Sequence, residues 1–232
     1  MSQRMPPQCL GQEQPYNDSP LRTAIDLAFD HTACSRNTET CGIRLLIPTQ
    51  NKKKTSLIKG IVARHLAEHA PNLPLECEQV SAESGGGEQP FEEEGPEGLK
   101  GRARNALNLA RPSEKTTIIG AVENFIERPL AGQEADGAHD YGIIGFYNVS
   151  KKDWTWEVTL GVKVDQRYLE EAMSKGFDDE AKKKGKVTYG KVLANYFDVD
   201  HADWHPHVCG SSRYELLENA AKRLDMSRIL DL

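Results

Sequence analysis

Apolar positions first gather at Ile43, Leu45, Leu46 and Ile47, a run broken only by Arg44 and bounded by Gly42 and Pro48. So short an apolar run predicts a buried strand. The spacing then changes. Leu57, Ile58, Ile61, Val62 and Leu66 recur at the helical period, and Pro71 and Pro74 close the helix they predict. Leu75 to Val80 reads as a second strand, and the Gly- and Glu-rich stretch from Ser84 to Gly98 fits neither period. A helix from Leu99 to Ala110 is predicted to end before Pro112. Thr116 to Val122 is a β-branched strand, and 129–138 a loop. Tyr141 to Val149 and Trp154 to Val164 read as two strands joined in a hairpin at Ser150-Lys151-Lys152-Asp153. Helices are predicted at Gln166 to Ser174, Tyr189 to Tyr196 and Ser212 to Leu224. Strands interleaved with helices, plus a hairpin, predict an α/β fold: a mixed β-sheet flanked by helices.

Ahead of Gly42 the pattern fades. Residues 1–41 are rich in Gln, Pro, Ser, Thr and Asn and read as a mobile extension, with one short amphipathic stretch from Leu21 to Phe29 that could form a helix, Ser19 its N-cap and Pro20 its first residue. The ordered domain is expected to cover 42–232. Charged residues make up 28% and hydrophobic ones 38%, a balance that suits a folded soluble chain. A formal charge of −6 argues against a basic nucleic-acid binder. The chain has no apolar run of ~18 residues, so no membrane partner is expected. Five cysteines without C-x-x-C spacing suit reduced thiols, which points to the cytoplasm and leaves the nucleus open.

Four constellations can carry chemistry. Thr49-Gln50-Asn51-Lys52-Lys53-Lys54 sits where the first strand hands over to the first helix. Unsatisfied N–H groups and the helix dipole favour an anion there, and Thr49, Gln50, Asn51 and Lys54 can add donors or charge. A solvated basic turn with an ordinary cap accounts for the same residues. Glu83-Ser84-Gly85-Gly86-Gly87-Glu88-Gln89-Pro90 follows the second strand; its glycines permit close approach to a ligand, and Glu83 could hold Mg²⁺. A flexible surface loop has the same composition. Arg102, Arg104 and Asn105 lie in the first turns of the predicted helix and could meet phosphate, while Glu114, Glu123 and Glu127 flank a buried strand and could bind metal or orient water. A solvated helix face and surface ion pairs explain them as well. Ser212 and Glu215 form a capping box, which leaves Arg213 free to reach a triphosphate or solvent. His201 to Cys209 is dense in metal-ligand types, but its spacing matches no standard zinc site, and Pro206 points to a structural loop. Lys182 to Lys186 reads as a solvated basic turn.

Taken in order, these segments resemble the inosine/xanthosine triphosphatases, the non-canonical purine NTP phosphatases. The family's T-x-N-P-x-K turn is similar to Thr49 to Lys54, and its E-S-G-x-x-x-Q-P loop to Glu83 to Pro90. Its G-A-R-N-R-like helix resembles Gly101-Arg102-Ala103-Arg104-Asn105, its Glu-ended strand Gly120 to Glu123, and its late T/S-R-x-x-x-Y-x-x-A helix Ser212 to Ala220. The likeness spans about 43–225. Lys52 replaces the family's Pro, Leu217 its Tyr, and Trp204 to Cys209 stand in place of a Gly-Ala-Ile-Gly-like segment.

The resemblance implies a sheet domain with a central cleft and a homodimer, as is common in the family. It implies hydrolysis of inosine or xanthosine triphosphate with Mg²⁺ or Mn²⁺. Glu83 and Glu114 would hold the metal, and Glu83 and Glu123 would be catalytic. Thr49, Gln50, Asn51, Lys54, Arg104, Asn105 and Arg213 would bind the nucleotide. Two alternatives stay open: a non-catalytic relative that senses nucleotides or binds a protein, and a pyrophosphohydrolase.

Overall fold

The computed structural model describes residues 42–130, 137–230 and 232. The extension, its expected helix at Leu21 to Phe29 and most of the 129–138 loop lie outside them. The architecture is α/β, a mixed sheet flanked by helices.

Strand β1 (Ile43–Ile47) is buried along its whole length. It runs parallel to β2 (Leu75–Gln79) on one side and to β4 (Thr116–Glu127) on the other. Beyond β4 the sheet turns antiparallel through β5 (His139–Asn148) and β6 (Asp153–Val158). Short β7 (Val162–Lys163) pairs with the start of β5. Gln89–Pro90 (β3) and Lys184–Gly185 (β8) form a separate two-stranded ribbon.

Successive β1 side chains point to opposite faces, so each face needs a cover. Helix α1 (Lys52–His69) supplies one: Ile58, Ile61, Val62 and Leu66 pack with Ile43, Leu45 and Ile47. Helix α2 (Glu94–Leu109) supplies the other, where Ala103 and Ala106 meet Leu46 and Ile119. Between β7 and β8 runs α3 (Gln166–Ser174), and after β8 come α4 (Tyr189–Ala194), α5 (His205–Cys209), α6 (Arg213–Ala221) and α7 (Met226–Leu230). Leu217, Ala220 and Ala221 of α6 close the α1 face.

Several sequence expectations need correcting. Helix α2 begins at Glu94, five residues before Leu99, because its glycines pack closely on β4 and on the Ser84 loop. Strand β4 continues past Val122 to Glu127, held by an unbroken antiparallel ladder to β5. Trp154 to Val164 is two strands: the β5–β6 ladder ends at Val158, and Val162 pairs further along β5 with Asp140. The expected loop at His201 to Cys209 contains α5, since Pro206 is tolerated in a first helical turn. The basic turn at Lys182 to Lys186 contains β8, with Lys183 paired to Glu93 and Lys184 3.4 Å from Glu94. Helix α7 has no counterpart in the sequence reading.

One feature of the ladder positions the site. Strand β1 accompanies β4 only as far as the Leu46–Ile119 pair. The next strand-like partner on that side is Phe91, bridged to Ile126. Among the described residues, Gly120 to Phe125 therefore has β5 along one edge and a gap in the sheet along the other.

Candidate functional site

The first strand turns into its helix beside this gap. Asn51 is the N-cap of α1: its Oδ1 accepts the Lys54 N–H at 3.0 Å, and its own N–H donates to Thr49 Oγ1 at 3.1 Å. Capping accounts for both polar side chains locally, while Gln50 and Asn51 remain exposed. The turn directs Lys54 inward, where its Nζ lies 3.5 Å from the Val122 carbonyl at the gap edge.

From the other face of the sheet comes Arg102. Its Nε donates to Glu123 Oε2 at 2.7 Å and its Nη1 to the Ala82 carbonyl at 2.9 Å. Glu123 is 7% exposed, and its second oxygen accepts the Asn124 N–H at 3.1 Å. Burial alone would raise the Glu123 pKa, but Lys54, Arg102 and these hydrogen bonds outweigh it and hold the carboxyl below its ordinary value. Lys54 is pushed down to about 8, first by burial and then by the positive charges of Arg213 and Arg102, against the pull of Glu123. Arg213 opens α6, and its Nε is buried without a hydrogen-bond partner. Lys54 and Arg102 thus share one buried carboxylate, and Arg213 adds a third positive charge near Lys54.

The loop after β2 is tied to the same place. Parallel pairing of β1 and β2 makes both leave the sheet at one end, so Asn51 and Glu83 follow neighbouring strand ends. Asn105 Nδ2 donates to the Glu83 carbonyl at 2.9 Å, and the Glu83 side chain is exposed. Gly101 lets α2 touch this loop: a Cβ there would stand 2.3 Å from the Ser84 carbonyl oxygen. Gln89, the Gln of the Glu-Ser-Gly…Gln-Pro pattern, is buried and accepts the Tyr189 N–H through Oε1 at 3.1 Å, an architectural contact.

Two expected members fall away from the group. Glu114 precedes β4 at the opposite end of the parallel strands. At ~3.3 Å per residue it lies about 20 Å or more along β4 from Glu123. Glu83 and Glu114 therefore cannot grip one ion. Arg104 and Asn105 are not in the first turns of α2 but in its third, because the helix starts at Glu94. Arg104 is exposed and points some 200° around the helix from Arg102. The cation that reaches Glu123 is Arg102. Its signal lies in the stripe Gly98, Gly101, Arg102, Asn105, which faces one way once the helix start is known.

Among the described residues, no group of three or more His, Cys, Asp or Glu is arranged to hold a metal. His205 instead meets Asp140 at 2.8 Å, deep under Trp204. Mg²⁺ commonly rides on substrate phosphates with only one or two protein carboxylates. The Glu83 carboxylate is exposed at the end of the neighbouring parallel strand, where an ion of that kind could be met. No helix among the described residues is long and apolar enough to cross a membrane.

The molecule is thus an α/β protein whose mixed sheet opens, at the ends of its parallel strands, onto a cationic gap. No family model and no curated protein matches the chain. Among solved structures it is similar to protein VC0702 from Vibrio cholerae, with a TM-score of 0.57 and 16% identity over 81% of this chain and 96% of that one. At that identity the likeness speaks to the fold alone.

Proposed function

We propose that the gap binds the polyphosphate of a nucleoside triphosphate and that the protein hydrolyses it, with inosine or xanthosine triphosphate as substrate and phosphate as product. The observation that carries this reading is the charge imbalance: Lys54 and Arg102 meet the one carboxylate of Glu123, and Arg213 adds its charge near Lys54 with its Nε buried and unpaired. Half-buried cations in excess, one with a buried unpaired donor, call for an anionic partner, since such a donor costs about 1–3 kcal/mol. The ordered succession of motifs resembling the non-canonical purine NTP phosphatases supports a nucleotide as that partner.

In this reading Lys54 and Arg213 hold phosphate oxygens and neutralise charge as it builds during phosphoryl transfer. Glu123, ionised and held by Arg102, keeps Lys54 oriented. The N–H groups of Lys52 and Lys53, the first two helical positions of α1, add donors at its N-terminus. A Mg²⁺ or Mn²⁺ ion carried by the nucleotide would be met by Glu83, and it would polarise the phosphoryl group and the attacking water. Glu83→Ala is expected to lower phosphate release from inosine triphosphate with Mg²⁺ by about 10²-fold, and Glu114→Ala to leave it unchanged. An unaltered rate in Glu83→Ala removes that residue from the metal site.

A second reading, a nucleotide-binding relative without turnover, is favoured by one observation: both Glu123 oxygens are already engaged, by Arg102 and by the Asn124 N–H. A panel of nucleoside triphosphates with Mg²⁺ and Mn²⁺, assayed separately for phosphate and pyrophosphate, separates the readings. Release of either product excludes the inactive relative, and the product distinguishes phosphatase from pyrophosphohydrolase.

A further inference from the structure

Between the helix starts that flank the gap sits a carboxylate with no part in the reaction described above. Asp203 lies two residues before α5, and its side chain is 12% exposed. Its Oδ1 accepts the backbone N–H of Arg213 at 2.8 Å, and its Oδ2 stands 3.9 Å from Lys53 Nζ. Asp203 thereby links the first residue of α6 to the first turn of α1. Lys53 also lies over the Tyr214 ring, 5.1 Å from its centroid, which joins the same two turns.

Behind Asp203 the segment is fixed to the sheet. His205 is buried, its Nε2 2.8 Å from Asp140 Oδ2 on β5, and the Trp204 ring stacks on it at 4.1 Å. His205 Nδ1 is 4.0 Å from Asp203 Oδ1, beyond hydrogen-bond reach, and has no other partner. The Asp203 oxygens are thus left to Arg213 and Lys53.

Position matters because nothing holds the Arg213 Nε directly. A guanidinium at the first helical position goes where that turn goes, and the turn is set by Ser212, Glu215 and Asp203. The Ser212–Glu215 capping box fixes the turn's own geometry, and Asp203 fixes its place relative to α1. A bare carboxylate near a polyanion site would repel the ligand. Asp203 escapes this by facing a donor and a cation.

We propose that Asp203 is a positioning residue that acts through Arg213, setting the guanidinium for a polyphosphate ligand. This rests on the reading of the gap as a polyphosphate site. The test is calorimetric titration of the full chain at pH 7 with inorganic tripolyphosphate and Mg²⁺. Wild type, Asp203→Ala, Asp203→Asn, Arg213→Met and the Asp203→Ala/Arg213→Met double variant are compared. Asp203→Ala is expected to weaken binding about tenfold. Asp203→Asn, whose amide oxygen still accepts the Arg213 N–H, stays within about threefold of wild type. In the Arg213→Met background Asp203→Ala is expected to cost less than about twofold, the non-additivity of residues acting as one unit. Equal costs in both backgrounds overturn the proposal, because a purely structural role would add. Should Asp203→Ala fail to fold, Asp203→Asn decides alone: retention supports the role and a tenfold loss overturns it. A wild type that binds tripolyphosphate but releases nothing from inosine triphosphate defeats the enzymatic reading and leaves this cycle valid. A wild type that does not bind tripolyphosphate overturns the positioning role.

Discussion

The Lys54→Met variant is expected to lose about 10²–10³-fold in kcat/KM for inosine triphosphate while keeping its fold. Methionine fills the aliphatic part of the lysine side chain and removes only the charge. That charge sits at the third position of α1, at the gap edge 3.5 Å from the Val122 carbonyl. Lys54→Arg is not expected to rescue it, because a planar fork does not replace a compact ammonium in a partly buried slot. A pH signature accompanies the loss. Burial, Arg213 and Arg102 bring Lys54 down to about 8, so it is protonated at neutral pH and loses its proton just above. A polyanion binds the protonated form better. Wild-type kcat/KM should therefore be nearly full at about pH 7, halved near pH 8 and down about tenfold by pH 9, approaching a slope of one proton. In Lys54→Met that slope should vanish. A wild-type profile that stays flat from pH 7 to 9.5 would remove Lys54 from the site.

Gly101→Ala is expected to lower stability by about 2–4 kcal/mol and to impair the site along with it. Alanine normally gains up to ~1 kcal/mol over glycine inside a helix. Here the new methyl would lie 2.3 Å from the Ser84 carbonyl oxygen, a backbone atom that cannot rotate away. Either α2 lifts from the loop or the loop moves, and each movement breaks two ties. These are Arg102 to the Ala82 carbonyl at 2.9 Å and Asn105 to the Glu83 carbonyl at 2.9 Å. The packing loss outweighs the propensity gain. Urea denaturation measures the balance through a lower midpoint at unchanged slope. A midpoint equal to or above wild type would mean that the helix and loop are not in close contact.

The central elements were legible in the sequence for a plain reason. Ile43 to Ile47 and the stripe Ile58, Ile61, Val62 and Leu66 are buried on the sides their spacing indicates, with Leu57 half-buried at the margin, so periodicity reported burial directly. The capping box at Ser212 and Glu215 was equally local, needing only residues three apart. Failures came where tertiary contact overrides local preference. Gly95, Gly98 and Gly101 depress helix propensity, yet α2 starts at Glu94 because those glycines allow it to lie against Phe125, Glu123 and Ser84. Polar Glu123 and Asn124 interrupt the apolar pattern of β4, but the ladder to β5 carries the strand through them.

The site followed the same division. The turn at Thr49 to Lys54 and the loop at Glu83 announce themselves by composition. Arg102 was misjudged because the face of a helix cannot be assigned without its first residue. Glu114 was grouped with Glu123 because both flank one strand, although a strand separates its ends as effectively as it connects them. Asp203 gave no signal at all: its partner Arg213 is ten residues away, and only the arrival of α6 beside α1 brings them together.

The most direct test of the gap as a polyphosphate site is a crystal structure of the protein with Mg²⁺ and a non-hydrolysable inosine triphosphate analogue. Phosphate oxygens within hydrogen-bond reach of Lys54 Nζ and Arg213 Nε, with the ion on the Glu83 side, are the expected result. A triphosphate seated elsewhere, with the Arg213 Nε still unpaired, would contradict it.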